Sequence, residues 1–177
     1  MDKKELRRQI REQKRAMTEE QIVAASQRLG ELFLNCEQYK AAKTIYGYLP
    51  YNQEVRTVPM LEQAMKDGKR VAVPKCYGDE MRFLYMDDLS KVEKGYANIP
   101  EPIADEPVAD DKTALVLMPG MAFTKDGKRM GYGGGFYDKF LAAEPNHPTV
   151  ALCYEFQMVE DLPTEEYDIP VDCVLWA

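Results

Sequence analysis

A chain of 177 residues, 45% hydrophobic and 30% charged, is long enough for one domain with a substantial core. Its net charge of −7 argues against a generic nucleic-acid binder, which draws on a large basic footprint. No apolar run approaches the length of a membrane span, and the N-terminus is charged from Asp2 onward, so neither a span nor a signal peptide is visible and the expected compartment is the cytoplasm.

In chain order, residues 3–16 read as a helix with Leu6, Ile10 and Met17 on one side. Lys3, Arg7, Arg11 and Lys14 fall on another, and Arg11 and Lys14 are read as a solvated basic face. Thr18-Glu-Glu-Gln21 is a capping-box pattern that starts a second helix at Glu19, running to about Asn35. Thr44–Leu49 alternates β-branched and aromatic residues as a strand does, and Pro50 closes it. Glu54 then sits in the loop Tyr51-Asn-Gln-Glu54, beyond the strand's C-terminal end, where α/β sheets place ligand contacts. Met60–Lys66 suits a helix stopped by Gly68. Arg70–Pro74 and Met81–Met86 read as strands, and 87–112 as mostly acidic loop. Strands are also expected at Leu115–Met118, Thr149–Cys153 and Val174–Trp176. Strand and helix alternate often enough for an α/β protein with a mostly parallel sheet, residues 1–177 forming one domain.

Rare residues exclude several chemistries. The one histidine, His147, lies between Pro145 and Pro148 and is expected to be a solvated loop residue. The two serines, Ser26 and Ser90, are not in a nucleophile-elbow context. Cys36, Cys76, Cys153 and Cys173 lie far apart without a C-x-x-C pair, which suits reduced thiols better than disulfides or a zinc site.

The stretch that carries chemistry follows the strand at Leu115–Met118. Pro119-Gly120 ends the strand, and a polar loop brings Lys125, Asp126, Lys128 and Arg129. Gly131, Gly133, Gly134 and Gly135 then open onto a helix from Phe136 to Ala143. Bare backbone at a helix N-terminus, with Lys and Arg just upstream, makes an anion cradle for phosphate. A dinucleotide fingerprint is excluded, since its third glycine would be Phe136; a P-loop is excluded because no Lys-Ser or Lys-Thr follows. Asp138, in the first turn of that helix, can reach a magnesium ion, which prefers one or two carboxylates with phosphate oxygens, or can simply complement the helix dipole.

The segment Met118-Pro119-Gly120-Met121-Ala122-Phe123, with Gly127, Arg129 and Gly131-Tyr-Gly-Gly-Gly-Phe-Tyr-Asp138, resembles the 5-formyltetrahydrofolate cyclo-ligase family, also called 5,10-methenyltetrahydrofolate synthetases. The likeness extends to Lys3, Arg7, Leu49, Glu54, Asn98–Pro102 and Asp168–Asp172, and so runs the length of the chain. It implies a three-layer α/β/α fold similar to ribose-phosphate isomerases and CoA transferases. It also implies a magnesium-dependent reaction in which ATP phosphorylates the formyl oxygen of 5-formyltetrahydrofolate and N10 closes the methenyl bridge, with no side-chain nucleophile. By the resemblance, ATP meets Lys3, Arg7, Arg129, Met130, Gly131, Tyr132, Gly133, Gly134, Gly135, Phe136 and Tyr137. The folate meets Leu49, Glu54 and residues Tyr132, Gly133, Gly134, Gly135 and Phe136; Arg129, Tyr132 and Gly134 serve the chemistry, and Asp138 and Asp172 the metal. The family resemblance further implies a monomer. Tyr132 and Gly134 stand where some members carry Arg and Lys, Phe136 where Tyr is common, Thr124 where Asp is frequent, and Ala97 where Trp can occur, beside Tyr96. A sugar-phosphate isomerase or CoA-type transferase on such a fold, and a non-enzymatic nucleotide-binding module, are the alternatives.

Overall fold

The computed structural model describes residues 2–177. Along the chain run α1 (Lys3–Arg15), α2 (Glu19–Asn35), α3 (Glu37–Ala41), β1 (Thr44–Tyr46), α4 (Val58–Lys66), β2 (Arg70–Tyr77), β3 (Glu80–Tyr85), β4 (Val92–Lys94), β5 (Pro100–Pro102), β6 (Leu115–Met118), β7 (Ala122–Phe123), β8 (Arg129–Met130), α5 (Phe136–Ala143), β9 (Thr149–Cys153) and β10 (Cys173–Trp176). Short 3₁₀ turns lie at Tyr96–Asn98 and Glu155–Gln157.

The central sheet has the order β10-β9-β6-β1-β2-β3, and every pairing is parallel except that of β2 with β3. β1, β6 and β9 are buried throughout, as strands covered on both faces must be, while β2 and β3 carry Arg70, Lys75, Glu80 and Arg82 toward the sheet's edge. Alternation then divides them. Ile45, Val71, Val73, Leu115, Leu117, Val150 and Leu152 pack on one face with Ala25, Leu29 and Phe33 of α2 and Met60, Leu61 and Ala64 of α4. Tyr46, Ala72, Val116, Met118, Ala151 and Cys153 pack on the other with Leu141 and Phe140 of α5. The result is the expected three-layer α/β/α arrangement with a mostly parallel sheet.

Local signals explain where the elements begin. Thr18 Oγ1 accepts from Gln21 N at 3.1 Å while the Gln21 side chain accepts from Thr18 N at 2.9 Å, closing the capping box that starts α2. Gly68, at φ +85°, follows α4 in the left-handed region that ends helices. The segment 87–112 holds more order than its composition suggests: β4 and β5 form a hairpin, and the turn at its tip places Ala97 and Asn98 at φ +54° and +62°. Within the polar loop after β6, β7 and β8 form a second short ribbon. Neither ribbon has the length or alternation that marks a strand in sequence.

His147 departs from the solvated loop residue expected. It is buried between Tyr46 and Phe140, with Nδ1 2.7 Å from Ala114 O and Nε2 2.8 Å from Glu144 Oε1. Glu144, three residues upstream, is the partner that lets the ring enter the core.

Candidate functional site

The chain reverses its direction of sheet growth at β1. From β1 it builds outward through β2 to β3, then returns to place β6 on the other side of β1 and continues to β9 and β10. In such sheets the carboxyl ends of the two diverging strands splay their following loops apart, leaving a crevice. Here the loop after β1 carries Tyr48, Leu49 and Glu54, and the segment after β6 leads into the glycine loop. A cavity of about 630 Å³ lies there, within the usual range of small-molecule sites.

Helix α1 forms one wall. Leu6 and Ile10 are buried against Met121 and against Ala122 and Met130 of the β7–β8 ribbon. That contact turns the other side of the helix, with Lys3, Arg7, Arg11 and Lys14, toward the cavity. The glycine loop and the start of α5 form another wall. Gly133 and Gly135 adopt φ +104° and +69°, which a side-chain-bearing residue would hold only under strain. The β4–β5 hairpin adds Tyr96, whose ring meets Phe136 edge-on with centroids 5.0 Å apart.

Arg129 is fixed by two bonds: its Nη1 donates to Pro119 O at 2.9 Å, and Nη2 lies 3.4 Å from Asp138 Oδ2. Asp138 Oδ1 accepts from Ile169 N at 3.1 Å, which ties the C-terminal segment to the first turn of α5. The Nε groups of Arg7 and Arg129 are buried without a hydrogen-bond partner. The side chains of Arg7 and Arg129 both line the cavity beside a helix N-terminus, a concentration of positive charge that favours an anion.

A second polar group spans the cavity wall. Lys14 Nζ donates to Tyr132 Oη at 3.3 Å, and Tyr132 donates to Glu54 Oε2 at 3.2 Å. Glu54 Oε1 accepts from Tyr51 N at 2.8 Å. Burial pushes the Glu54 carboxyl above its ordinary range, with Lys14 and the bond from Tyr51 pulling the other way. Burial pushes the Lys14 ammonium down, and Glu54 opposes that. Lys14 therefore does not belong to a solvated face; it is 8% exposed. Cys76, also on the cavity wall, is raised to about 11 by burial and then by Glu101, which keeps it a thiol.

The structure brings Lys3, Arg7, Leu49, Glu54, Arg129, Met130, Gly131 to Gly135, Phe136, Tyr137 and Asp138 to this one cavity. Asp172 does not line it. Its carboxylate accepts from Thr149 N at 2.9 Å and Thr149 Oγ1 at 3.2 Å, which fixes it at the start of β9. The expected convergence of Asp138 and Asp172 on one ion is thus corrected: β9 and β10 pair in parallel from Val150 and Cys173, so Asp172 belongs to the opposite end of the sheet from the glycine loop. Asp168 lines the cavity instead. Among the described residues no cluster of three or more His, Cys, Asp or Glu side chains is placed to cage a metal. Asp138 and Asp168 supply the residue type that magnesium takes up alongside phosphate and water oxygens, with Asp138 also bonded to Arg129 and Ile169 N and Asp168 to Glu165 N. Sequence reasoning missed Lys14, Cys76 and Asp168 as cavity residues; of these only Asp168 lay in a segment that carried the family likeness, while Tyr96 had been noted beside Ala97.

The model of the 5-formyltetrahydrofolate cyclo-ligase family matches residues 1–177. The chain is similar to the 5-formyltetrahydrofolate cyclo-ligase of Escherichia coli K12, at 31% identity over 94% of this chain and 95% of that one. It is also similar to the mouse protein of the same name, at 28% over 98% and 93%. Among solved structures, a 5,10-methenyltetrahydrofolate synthetase from Aquifex aeolicus superposes with a TM-score of 0.84 at 28% identity, covering 99% of this chain and 90% of that one. One from Mycoplasma pneumoniae, at 24% identity and TM-score 0.77, shares the fold.

Proposed function

The chain belongs to the 5-formyltetrahydrofolate cyclo-ligase family, and from that premise we propose that its cavity holds ATP and 5-formyltetrahydrofolate side by side and couples them through the formyl oxygen. It is a ligase that forms a C–N bond. The observation that carries the ATP half of the reading is the convergence of Lys3, Arg7 and Arg129 on one cavity with a glycine loop at a helix N-terminus.

In this reading the triphosphate lies along Lys3, Arg7 and Arg129, with the backbone of Gly131–Gly135 against its oxygens. The folate lies toward Leu49 and Glu54, between Tyr132 and the Tyr96–Phe136 pair. The formyl oxygen attacks the γ-phosphorus and ADP leaves. An amide oxygen is a poor leaving group, and phosphorylation makes it a good one. N10 then bonds to the formyl carbon, the C–O bond breaks, and inorganic phosphate departs with the methenyl bridge formed. Phosphoryl transfer of this kind asks for placement and charge neutralisation rather than a protein nucleophile. That suits a site whose polar residues are mainly Lys, Arg and Tyr. Magnesium, held by Asp138 and Asp168 with the phosphates, would supply neutralisation of charge on the transferring group. Arg129 orients Asp138 and is itself anchored by Pro119 O, so the loop and the carboxylate move as one unit. The protein acts as a cytoplasmic monomer, with residues 1–177 as one domain.

The test is ADP release with and without 5-formyltetrahydrofolate, followed alongside near-ultraviolet absorbance of the methenyl product. ADP appearing in step with the product, and only when both substrates and magnesium are present, is expected. ADP release independent of the folate would fit a nucleotide-binding module with adventitious hydrolysis and would overturn the reading.

A further inference from the structure

Ring closure releases a proton. N10 enters as a secondary amine and leaves with no hydrogen, so a base must accept one proton as the C–N bond forms. The cavity's carboxylates are Glu54, Glu101, Asp138 and Asp168. Asp138 is bonded to Arg129 and Ile169, at the phosphate wall, and Glu101 is bonded to Cys76 N. Glu54 stands on the loop after β1, with one oxygen on Tyr51 N and the other receiving the Tyr132 hydroxyl.

Lys14 explains how this carboxylate is kept. Its side chain leaves the exposed surface of α1 and is nearly fully buried, yet among the described residues it forms no salt bridge. Its polar contact is the Tyr132 hydroxyl at 3.3 Å. The hydroxyl has one proton. With the ammonium donating to its oxygen, that proton has two acceptors in reach, Glu54 Oε2 at 3.2 Å and Gly120 O at 3.5 Å, and the nearer, charged one lines up a cation, a phenol and an anion in one donor sequence. A buried ammonium without direct carboxylate contact costs stability, and this one is placed where its field falls on Glu54.

We propose that Lys14 is a positioning residue that, through the Tyr132 hydroxyl, holds Glu54 as an oriented carboxylate able to accept the proton lost by N10. This rests on the cyclo-ligase reading above. The step balances: N10–H breaks as N10–C closes, Glu54 becomes the carboxylic acid, and it later returns the proton to the departing phosphate or to water. Other groups facing Glu54 are Arg56 and Tyr48 from its own loop, Tyr137 from α5 and Tyr154 after β9. Arg56 is engaged elsewhere, by Glu19 at 3.1 Å and by the carbonyl oxygens of Asn52 and Glu54. The tyrosines supply no positive charge. Lys14 is therefore the cation joined to the Glu54 carboxyl through a hydrogen-bonded side chain. Burial raises that carboxyl, and Lys14 is the leading opposing influence.

The experiment measures folate-dependent ADP release against pH for the full chain and for Lys14→Met, Lys14→Arg, Tyr132→Phe and Glu54→Gln. In Lys14→Met the acid limb of kcat/KM moves to higher pH, because Glu54 protonates more readily without its cation. At a pH on that limb the rate falls about tenfold or more relative to the parent, as loss of a close opposite charge predicts. Lys14→Arg restores the limb toward its original position. Tyr132→Phe, which breaks the connection while keeping both charges, shifts it the same way and covers the case in which Lys14→Met does not fold. Glu54→Gln loses the acid limb and about a hundredfold in kcat. An unmoved acid limb in a folded Lys14→Met or Tyr132→Phe protein, or an acid limb that persists in Glu54→Gln, overturns the proposal. A lone drop in melting temperature with the profile in place assigns Lys14 a structural role. An inactive parent chain would instead be a failure of the cyclo-ligase reading.

Discussion

At Arg7 the buried Nε has no partner, whereas its neighbour Arg8 is exposed and paired with Glu5 and Glu12 on the same helix. Exposed helix pairs contribute only about 0.3–0.5 kcal/mol, while a charged hydrogen bond to a ligand is worth about 1.5–3 kcal/mol. Arg7→Ala should therefore raise the KM for ATP about tenfold to a hundredfold, and Arg8→Ala should leave it within twofold of the parent. Steady-state kinetics at saturating folate checks both; equal effects would mean that α1 presents a diffuse basic face. The two aspartates separate in the same manner. Asp138→Asn should lower kcat, with partial recovery at raised magnesium. Asp172→Ala should leave the magnesium dependence unchanged and lower the melting temperature by about 2–4 °C, the effect of losing about 1 kcal/mol at Thr149. In the sequence, Asp138 was marked by its place in the first turn after the glycine loop; the likeness to a known family added Asp172, which the β9–β10 pairing holds elsewhere. Lys14 was misread because its burial depends on Tyr132, 118 residues away, and helical spacing says which face a residue occupies but not what covers it.

Among the elements, α2 was legible to its first residue, since capping is local chemistry between Thr18 and Gln21. Thr18→Ala should cost about 1 kcal/mol of stability with kcat unchanged, and Leu29→Ala, a fully buried residue of the same helix, about 2–5 kcal/mol. Denaturant unfolding measures both. The β4–β5 and β7–β8 ribbons were not legible, because strands of two or three residues owe their pairing to contacts made after the sheet forms. The turn after α5 supplies a pH dependence. Burial acts to raise the Glu144 carboxyl, but hydrogen bonds from His147 and Lys112 outweigh it and hold it below the usual carboxylate range. A depressed folded-state value gives stability that is present above the unfolded value, about 4.3, and is lost as pH falls through the folded one. The melting temperature of Glu144→Gln should lie below the parent's at neutral pH, and the gap should close in acid; a gap independent of pH would mean that the contact acts by packing alone.

For the molecule as a whole, the parallel alternation of strand and helix was readable in the sequence, but strand order was not, and order is what makes the site. Placing β6 beside β1 brings Glu54 and Tyr132, 78 residues apart, within hydrogen-bond distance. α1 and the glycine loop line the same cavity, so that groups suited to a triphosphate and groups suited to a reduced folate share it. The central claim is that the two substrates react directly there, through the formyl oxygen. Preparing 5-formyltetrahydrofolate with its formyl oxygen labelled as oxygen-18 and measuring the mass of the released phosphate tests it most directly. Transfer of the label into inorganic phosphate, one atom for each methenyl bridge formed, is the expected result. Phosphate that carries no label while the bridge still forms would contradict phosphorylation of the formyl oxygen and the arrangement of the site built on it.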